Sequence, residues 1–137
     1  MREILFRGKR TDNGEWVEGL LITVELDTYS EVEKAKYTHC IVEPKAEMYR
    51  GDLCGFEFVK PETVGQYTGL EDRNGKKIFE GDILKNEAGY VYSGEYKTEV
   101  AYDLGEFCGL GFCNIEPCDF KYCEVIGNIH DNPELLN

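Results

Sequence analysis

Six cysteines and two histidines are the residues of this chain best suited to metal or nucleophilic chemistry. Four of the cysteines, Cys108, Cys113, Cys118 and Cys123, recur every five positions, with Cys40 and Cys54 far upstream. A structural zinc site usually brings its ligands in close pairs, about two to four residues apart, because a tight knuckle aims both sulfurs at one ion. Along a strand, a step of five reverses the face each time. Only Cys108 with Cys118, or Cys113 with Cys123, would then share a side, and only on an unbroken strand. Pro117, Gly109 and Gly111 interrupt that stretch. Buried cysteine packs as a small apolar residue, and this is the preferred reading. The metal reading keeps Cys108, Cys113, Cys118 and Cys123 as its ligand set.

His39 precedes Cys40, and His130 precedes Asp131. A Cys–His pair can make a thiolate nucleophile, and a carboxylate can orient a histidine base. Neighbours in a strand face opposite sides, which counts against a His39–Cys40 dyad, and no third group completes either pair. Glu80 and Asp82 flank Gly81 and would share a side of an extended strand. The structural alternative is stronger: Gly81 permits a bulge, and Asp82 accepts backbone N–H groups at a turn. No catalytic residue and no cofactor-binding pattern is assigned; the P-loop and Rossmann glycine signatures are absent.

Contact chemistry has more candidates. Arg7 and Lys9 share a face if residues 7–9 are extended, where they can hold a phosphate or a carboxylate-rich partner, or act as a solvated edge. Trp16 would anchor one face of the same hairpin. Tyr90, Tyr92 and Tyr96 share strand parity and could form a stacking platform for bases or for a peptide. The net charge of −12 opposes the first of these, because it repels phosphate backbones and anionic lipid. General nucleic-acid binding and membrane association are therefore not expected. The residues from Met1 to Arg10 lack the apolar run of a signal peptide, and no stretch approaches the ~20 apolar residues that span a bilayer. A cytoplasmic protein with reduced thiols is the expectation.

The elements that must position these residues are strands. At 137 residues the chain can bury a core of its own, and one domain over 1–137 is expected. Nine tyrosines, seven phenylalanines and fifteen glycines favour strands joined by tight turns over helix bundles. Asn74-Gly75 between two strand-like segments is a strong hairpin signal, and Asp12-Asn13-Gly14 separates Ile4–Phe6 from a long strand at Trp16–Val24. A strand at Tyr37–Val42 stops at Pro44, and residues 45–55 show no sustained period. Phe56–Val59, Val64–Leu70, Thr98–Tyr102 and Tyr122–Ile126 read as further strands. Lys77–Phe79 is read as continuing into Gly81–Leu84 past a bulge, and residues 107–112 as a loop or an irregular strand. Asn132, Pro133 and Glu134 suit the start of one closing helical turn. The fold class is mainly β: antiparallel hairpins, with a barrel-like C-terminal half from about residue 61.

Four blocks together resemble the YopX family, small proteins carried mainly by phages and prophages of bacteria. They are Phe6-Arg7-Gly8-Lys9-Arg10 with Trp16-Val17-Glu18-Gly19, the segment Val64–Leu70, the hairpin Asp72–Leu84, and Val125-Ile126-Gly127-Asn128-Ile129 with Pro133–Leu136. The resemblance runs end to end. It implies a predominantly β fold and a mobile-element origin, and it carries no established activity, substrate or cofactor. The functional expectation is an acidic, non-enzymatic binding or regulatory protein that acts through contacts with another protein or as a homo-oligomer. The alternatives are a nucleic-acid-associated module using Tyr90, Tyr92, Tyr96, Arg7 and Lys9, and a metal- or thiol-dependent enzyme using the four spaced cysteines and His130.

Overall fold

The computed structural model describes residues 3–25, 37–86, 96–103, 105–110 and 116–136. Ten strands carry most of them, and every pairing is antiparallel. They are β1 (Phe6–Lys9), β2 (Trp16–Glu25), β3 (Tyr37–Tyr49), β4 (Asp52–Val59), β5 (Gly65–Glu71), β6 (Lys77–Phe79), β7 (Asp82–Asn86), β8 (Lys97–Asp103), β9 (Glu106–Leu110) and β10 (Cys123–Asn128). The mainly β expectation holds. Helical structure among the described residues is limited to 3-10 turns at Pro61–Thr63, Pro117–Tyr122 and Pro133–Leu136. Each opens at a proline, whose fixed φ is already that of a helical first position. Tertiary contacts gather the chain into two units, residues 4–66 and residues 67–137 with Glu3.

In the N-terminal unit the order is β4-β3-β2-β1, and the first residues of β5 pair with β1. The β1–β2 hairpin turns at Asp12-Asn13-Gly14 as expected, with Gly14 N–H donating to the Arg10 carbonyl at 3.1 Å. Past Lys9 the chain bends onto β4. Arg10 forms an isolated bridge with Val59, and Thr11 N–H donates to the Phe58 carbonyl at 3.0 Å. Where β2 crosses β3 the backbones lie so close that a Cβ on Gly19 would overlap the Val42 carbonyl oxygen.

Two boundary expectations are corrected here. β3 does not stop at Pro44 but runs to Tyr49, and residues 52–55 belong to β4. The β3–β4 register slips between Val42 and Glu47, so Pro44, which has no N–H to donate, falls in a stretch outside the regular ladder. The hairpin then closes through Arg50 (φ 51°) and Gly51 (φ 88°). Two positive φ values suit the hairpin twist and usually select Asn-Gly. Arginine in the first position gives no such signal.

In the C-terminal unit β5 pairs with β6, and a second sheet runs β10-β7-β8-β9. Lys77–Phe79 and the segment after Gly81 are therefore separate strands, not one bulged strand. Gly81 (φ 84°) turns the chain, donating its N–H to the Val100 carbonyl and accepting from Ile129 N–H, both at 2.8 Å. Asp82 behaves as expected: its buried carboxylate accepts the Phe79 N–H at 2.8 Å. The pairings of the four-stranded sheet leave β10 and β9 as its two ends, so the barrel-like arrangement does not close among the described residues. Of residues 107–112, expected as a loop or an irregular strand, 107–110 lie in β9, and 111 and 112 lie outside the described residues.

The core of this unit is Ile78, Leu84, Val100, Phe120 and Cys123, with Val125 packed against it. Thr98, opposite Leu84 in the ladder, is 1% exposed, and its hydroxyl has no hydrogen-bond partner among the described residues. A buried hydroxyl without a partner costs about 1–3 kcal/mol. Thr98→Val, which keeps the shape, is expected to raise stability by about 1 kcal/mol. An unchanged or lowered urea midpoint would show that the hydroxyl is satisfied in solution.

A carboxylate locks the β5–β6 turn to the last strand. Asp72 is 5% exposed, and it accepts the N–H groups of Asn74 (2.8 Å) and Lys76 (2.9 Å) on one oxygen and of Val125 (3.0 Å) on the other. Burial works to raise this carboxyl, but the donors from Val125, Lys76 and Asn74, helped by the Lys76 charge, hold it below the usual value. Beside it, Arg73 N–H donates to the Cys123 carbonyl at 3.0 Å, and the Arg73 guanidinium pairs with Glu124 at 2.8 Å.

Candidate functional site

The best-defined group of candidate residues lies in the N-terminal unit. Lys9 is the ladder partner of Trp16, and Arg7 is the partner of Glu18 one diagonal step away. Cross-strand partners share a face, so both cations reach the indole. The Arg7 guanidinium lies 4.7 Å from the Trp16 ring centroid and the Lys9 ammonium 5.5 Å. Cations at this range are attracted to the negative ring face. Arg7 and Lys9 share a face of β1, and Trp16 lies on that face beside them.

That face continues across the sheet. On β2 the parity of Trp16 and Glu18 leads to Leu20 and Ile22. Leu20 is opposite Val42, which is opposite Phe56; Ile22 is opposite Cys40, which is opposite Phe58. These two rows make one apolar stripe over three strands. Leu20 is 56% exposed and Phe58 41%, and the Phe56 and Phe58 rings meet edge-on at 5.6 Å between centroids. Cys40, between Ile22 and Phe58 in the ladder, is fully buried, and burial pushes its thiol up from the usual value. The other parity buries Gly8, Gly19, Ile41 and Val59. Among the described residues, other exposed apolar side chains such as Ile4 and Tyr102 do not form such a continuous row, and scattered ones are ordinary on protein surfaces.

Among the described residues, the cysteines do not assemble. Cys108 is buried on β9, Cys118 is exposed in the Pro117–Tyr122 turn, Cys123 is buried at the start of β10, and Cys113 lies outside the described residues. Among the described residues, the group of three close enough to share an ion is Glu116, Cys118 and Asp119. It excludes Cys108 and Cys123, so the spaced set does not form a common ligand shell there. Burial, reinforced by Asp119 and Asp72 and opposed by Arg73, pushes the Cys123 thiol up to about 11. Such a thiol stays protonated at neutral pH and is a poor nucleophile; it donates weakly to the Asp119 carbonyl at 3.5 Å. Desolvation and the charges of Asp119 and Glu116 raise Cys118 as well.

His39 and Cys40 occupy opposite faces of β3, as strand geometry requires. His130 and Asp131 sit in the turn after β10, where both backbone N–H groups donate to Asn128 Oδ1 and the Asp131 carboxylate accepts from Asn128 Nδ2 at 3.0 Å. That arrangement builds a turn. Tyr90 and Tyr92 lie outside the described residues. Tyr96 is half-buried beside β8, with its N–H on Asn86 Oδ1 at 2.6 Å and its carbonyl accepting from Asn86 N–H at 3.1 Å.

Against known proteins, the profile of the YopX protein family matches residues 5–137. The chain is also similar over the full length of both chains to the crystal structure of protein EF1440 from Enterococcus faecalis, at 30% sequence identity and a TM-score of 0.58. No curated protein matches it. Among the described residues, no helix is long and apolar enough to cross a membrane.

Proposed function

The chain belongs to the YopX family, and from that premise we propose that it is a phage- or prophage-derived binding protein that works by contact with another protein and not by catalysis. The observation that carries this reading is the apolar stripe of Leu20, Val42, Phe56 and Phe58, which ends at the Arg7–Trp16–Lys9 group. An apolar row that stays open to solvent is what a partner can cover, and aromatic and arginine side chains are the types that anchor interfaces. The carboxylates and amides that do meet, at Asp72, Asp82 and Asn128, accept or donate to backbone and hold turns. They supply structure where an enzyme would keep a reactive group.

A photo-crosslinking amino acid in place of Leu20 is expected to capture one defined protein from the bacterial host of such a phage. The same probe at Thr23, exposed on the opposite parity, is expected to capture none. Leu20→Glu should abolish co-purification of that protein while leaving the thermal midpoint within about 2 °C, since an exposed side chain contributes little to folding. Equal capture from both positions, or from neither, removes the reading.

A further inference from the structure

We infer that Asn13-Gly14, in the turn between β1 and β2, is a site of spontaneous deamidation, and that Asp72 holds the matching dipeptide Asn74-Gly75 unreactive.

The chemistry needs no partner but water. A backbone nitrogen that follows asparagine attacks the side-chain carbonyl carbon, and glycine, without a Cβ, obstructs this least. The bond from Gly14 N to Asn13 Cγ forms, the Cγ–Nδ2 bond breaks, and the Gly14 amide proton leaves with Nδ2 as ammonia. Water then opens the cyclic imide. Opening at the side-chain carbonyl gives aspartate. Opening at the main-chain carbonyl gives isoaspartate, with an extra methylene in the backbone.

The structure separates the asparagines. Among the described residues, Asn86 and Asn128 are buried, and Asn132 precedes Pro133, whose nitrogen carries no proton. Asn13 and Asn74 remain, each exposed and each followed by glycine. Their nucleophiles are tethered alike: Gly14 N–H donates to the Arg10 carbonyl at 3.1 Å, and Gly75 N–H to the Asp72 carbonyl at 3.0 Å.

The next amide along the chain distinguishes them. Glu15 N–H donates to Asn13 Oδ1 at 2.9 Å. It polarises the carbonyl under attack and stabilises the negative charge that gathers on that oxygen, as the donors of an oxyanion hole do. In the other turn the equivalent Lys76 N–H is given to Asp72 Oδ1 instead, at 2.9 Å, and the same oxygen accepts the Asn74 N–H at 2.8 Å. The amides on either side of the Gly75 nitrogen are thereby fixed, and the rotation that brings that nitrogen onto Asn74 Cγ must strain or break their bonds.

Charge acts in the same direction. Attack builds up negative charge, which the buried Asp72 carboxylate opposes, and Glu71 Oε2 lies 3.9 Å from where a Cβ on Gly75 would stand. Among the described residues, nothing comes within 4 Å of that position on Gly14, and the nearby Asp12 carboxylate is paired with Arg10 at 2.9 and 2.7 Å. The product adds a carboxylate to the turn that sets Trp16 opposite Lys9, so this hairpin gains negative charge as the molecule ages.

The intact chain is incubated in mildly alkaline buffer, both folded and in guanidinium chloride, and each asparagine is followed by peptide mass spectrometry. Isoaspartate is confirmed by its specific enzymatic methylation. Unfolded, the two Asn-Gly bonds should react at similar rates. Folded, Asn13 should keep pace with its unfolded rate while Asn74 slows at least about tenfold, a modest factor beside the ~10²–10³ that one oxyanion donor contributes in an enzyme. Glu15→Pro, which removes the donor, should slow Asn13. Asp72→Ala should release Asn74 and leave Asn13 unchanged, and the wild-type rates carry the test if either variant folds poorly. Folded protein in which Asn74 reacts as fast as Asn13 overturns the inference, as does an Asn13 that folding slows as much as Asn74. A folded Glu15→Pro protein with an unchanged Asn13 rate overturns the role of the Glu15 amide.

Discussion

Asp72→Ala is expected to destabilise the C-terminal unit by about 3 kcal/mol, a large share of the stability of a small domain. The estimate follows from what the carboxylate holds. Three backbone N–H groups, on Asn74, Lys76 and Val125, end at its two oxygens, and the residue is almost wholly buried. Removing it leaves buried donors without an acceptor, each costing about 1–3 kcal/mol, with partial relief as water enters. Asp72→Asn should cost somewhat less, because one oxygen can still serve the turn while the amide NH₂ meets the Val125 N–H as a second donor. The pH dependence has a definite sign. The folded carboxyl is held below its usual value, so its contribution is complete above the unfolded value of about 3.9 and disappears as the pH falls through the folded value. Between neutral pH and about 3, wild type should therefore lose more stability than Asp72→Asn. Urea midpoints over that range, followed by circular dichroism, measure this. Parallel acid limbs for the two proteins would show that Asp72 carries no special charge-dependent stability.

Gly19→Ala is expected to cost about 3 kcal/mol or more in the N-terminal unit. The added Cβ would overlap the Val42 carbonyl oxygen and lie 3.0 Å from the Ile41 Cγ2 methyl. Overpacking ordinarily costs about 1–3 kcal/mol when side chains can shift, but here the obstacle is backbone within a paired ladder. Either the β2–β3 pairing opens at Leu20–Val42 or the strands bend apart. Both outcomes disturb the row that presents Leu20, so this variant should lose partner capture as well as stability, whereas Leu20→Glu loses only capture. Trp16, in the same unit, reports the unfolding directly. A midpoint within experimental error of wild type would mean that β2 and β3 are not so tightly apposed in solution.

The sequence spoke clearly where side-chain parity and turn chemistry agree. β8 alternates cleanly, Asp12-Asn13-Gly14 and Asn74-Gly75 mark their hairpins, and Arg7 and Lys9 could be set on one face by counting alone. It was silent where a neighbour distant in the chain decides. Nothing in Asp72-Arg73-Asn74-Gly75 signals that Asp72 also binds Val125, 53 residues on. Leu20-Leu21-Ile22 is apolar on both parities, so which side of β2 is buried depends on Gly19 and Ile41 lying opposite one another's strands. The β3–β4 turn was hidden because its first residue is Arg50 and its strand contains Pro44; only the slip in register makes both admissible. Cys108 and Cys118, which an unbroken strand would put on one side, are separated for a similar reason: Cys108 lies on β9 and Cys118 in the Pro117–Tyr122 turn.

That slip between Val42 and Glu47 divides the β3–β4 hairpin into two stretches of ladder, one beside the apolar stripe and one at the tip. In a continuous ladder a one-residue insertion would turn every following side chain to the other side of the sheet. Here an irregular joint stands between the two stretches and can absorb such a change. Residues 47–54 can therefore lengthen, shorten or drift over evolutionary time while Val42, Phe56 and Phe58 keep their aim. The hairpin is a place where natural variation is cheap, next to a surface where it is not.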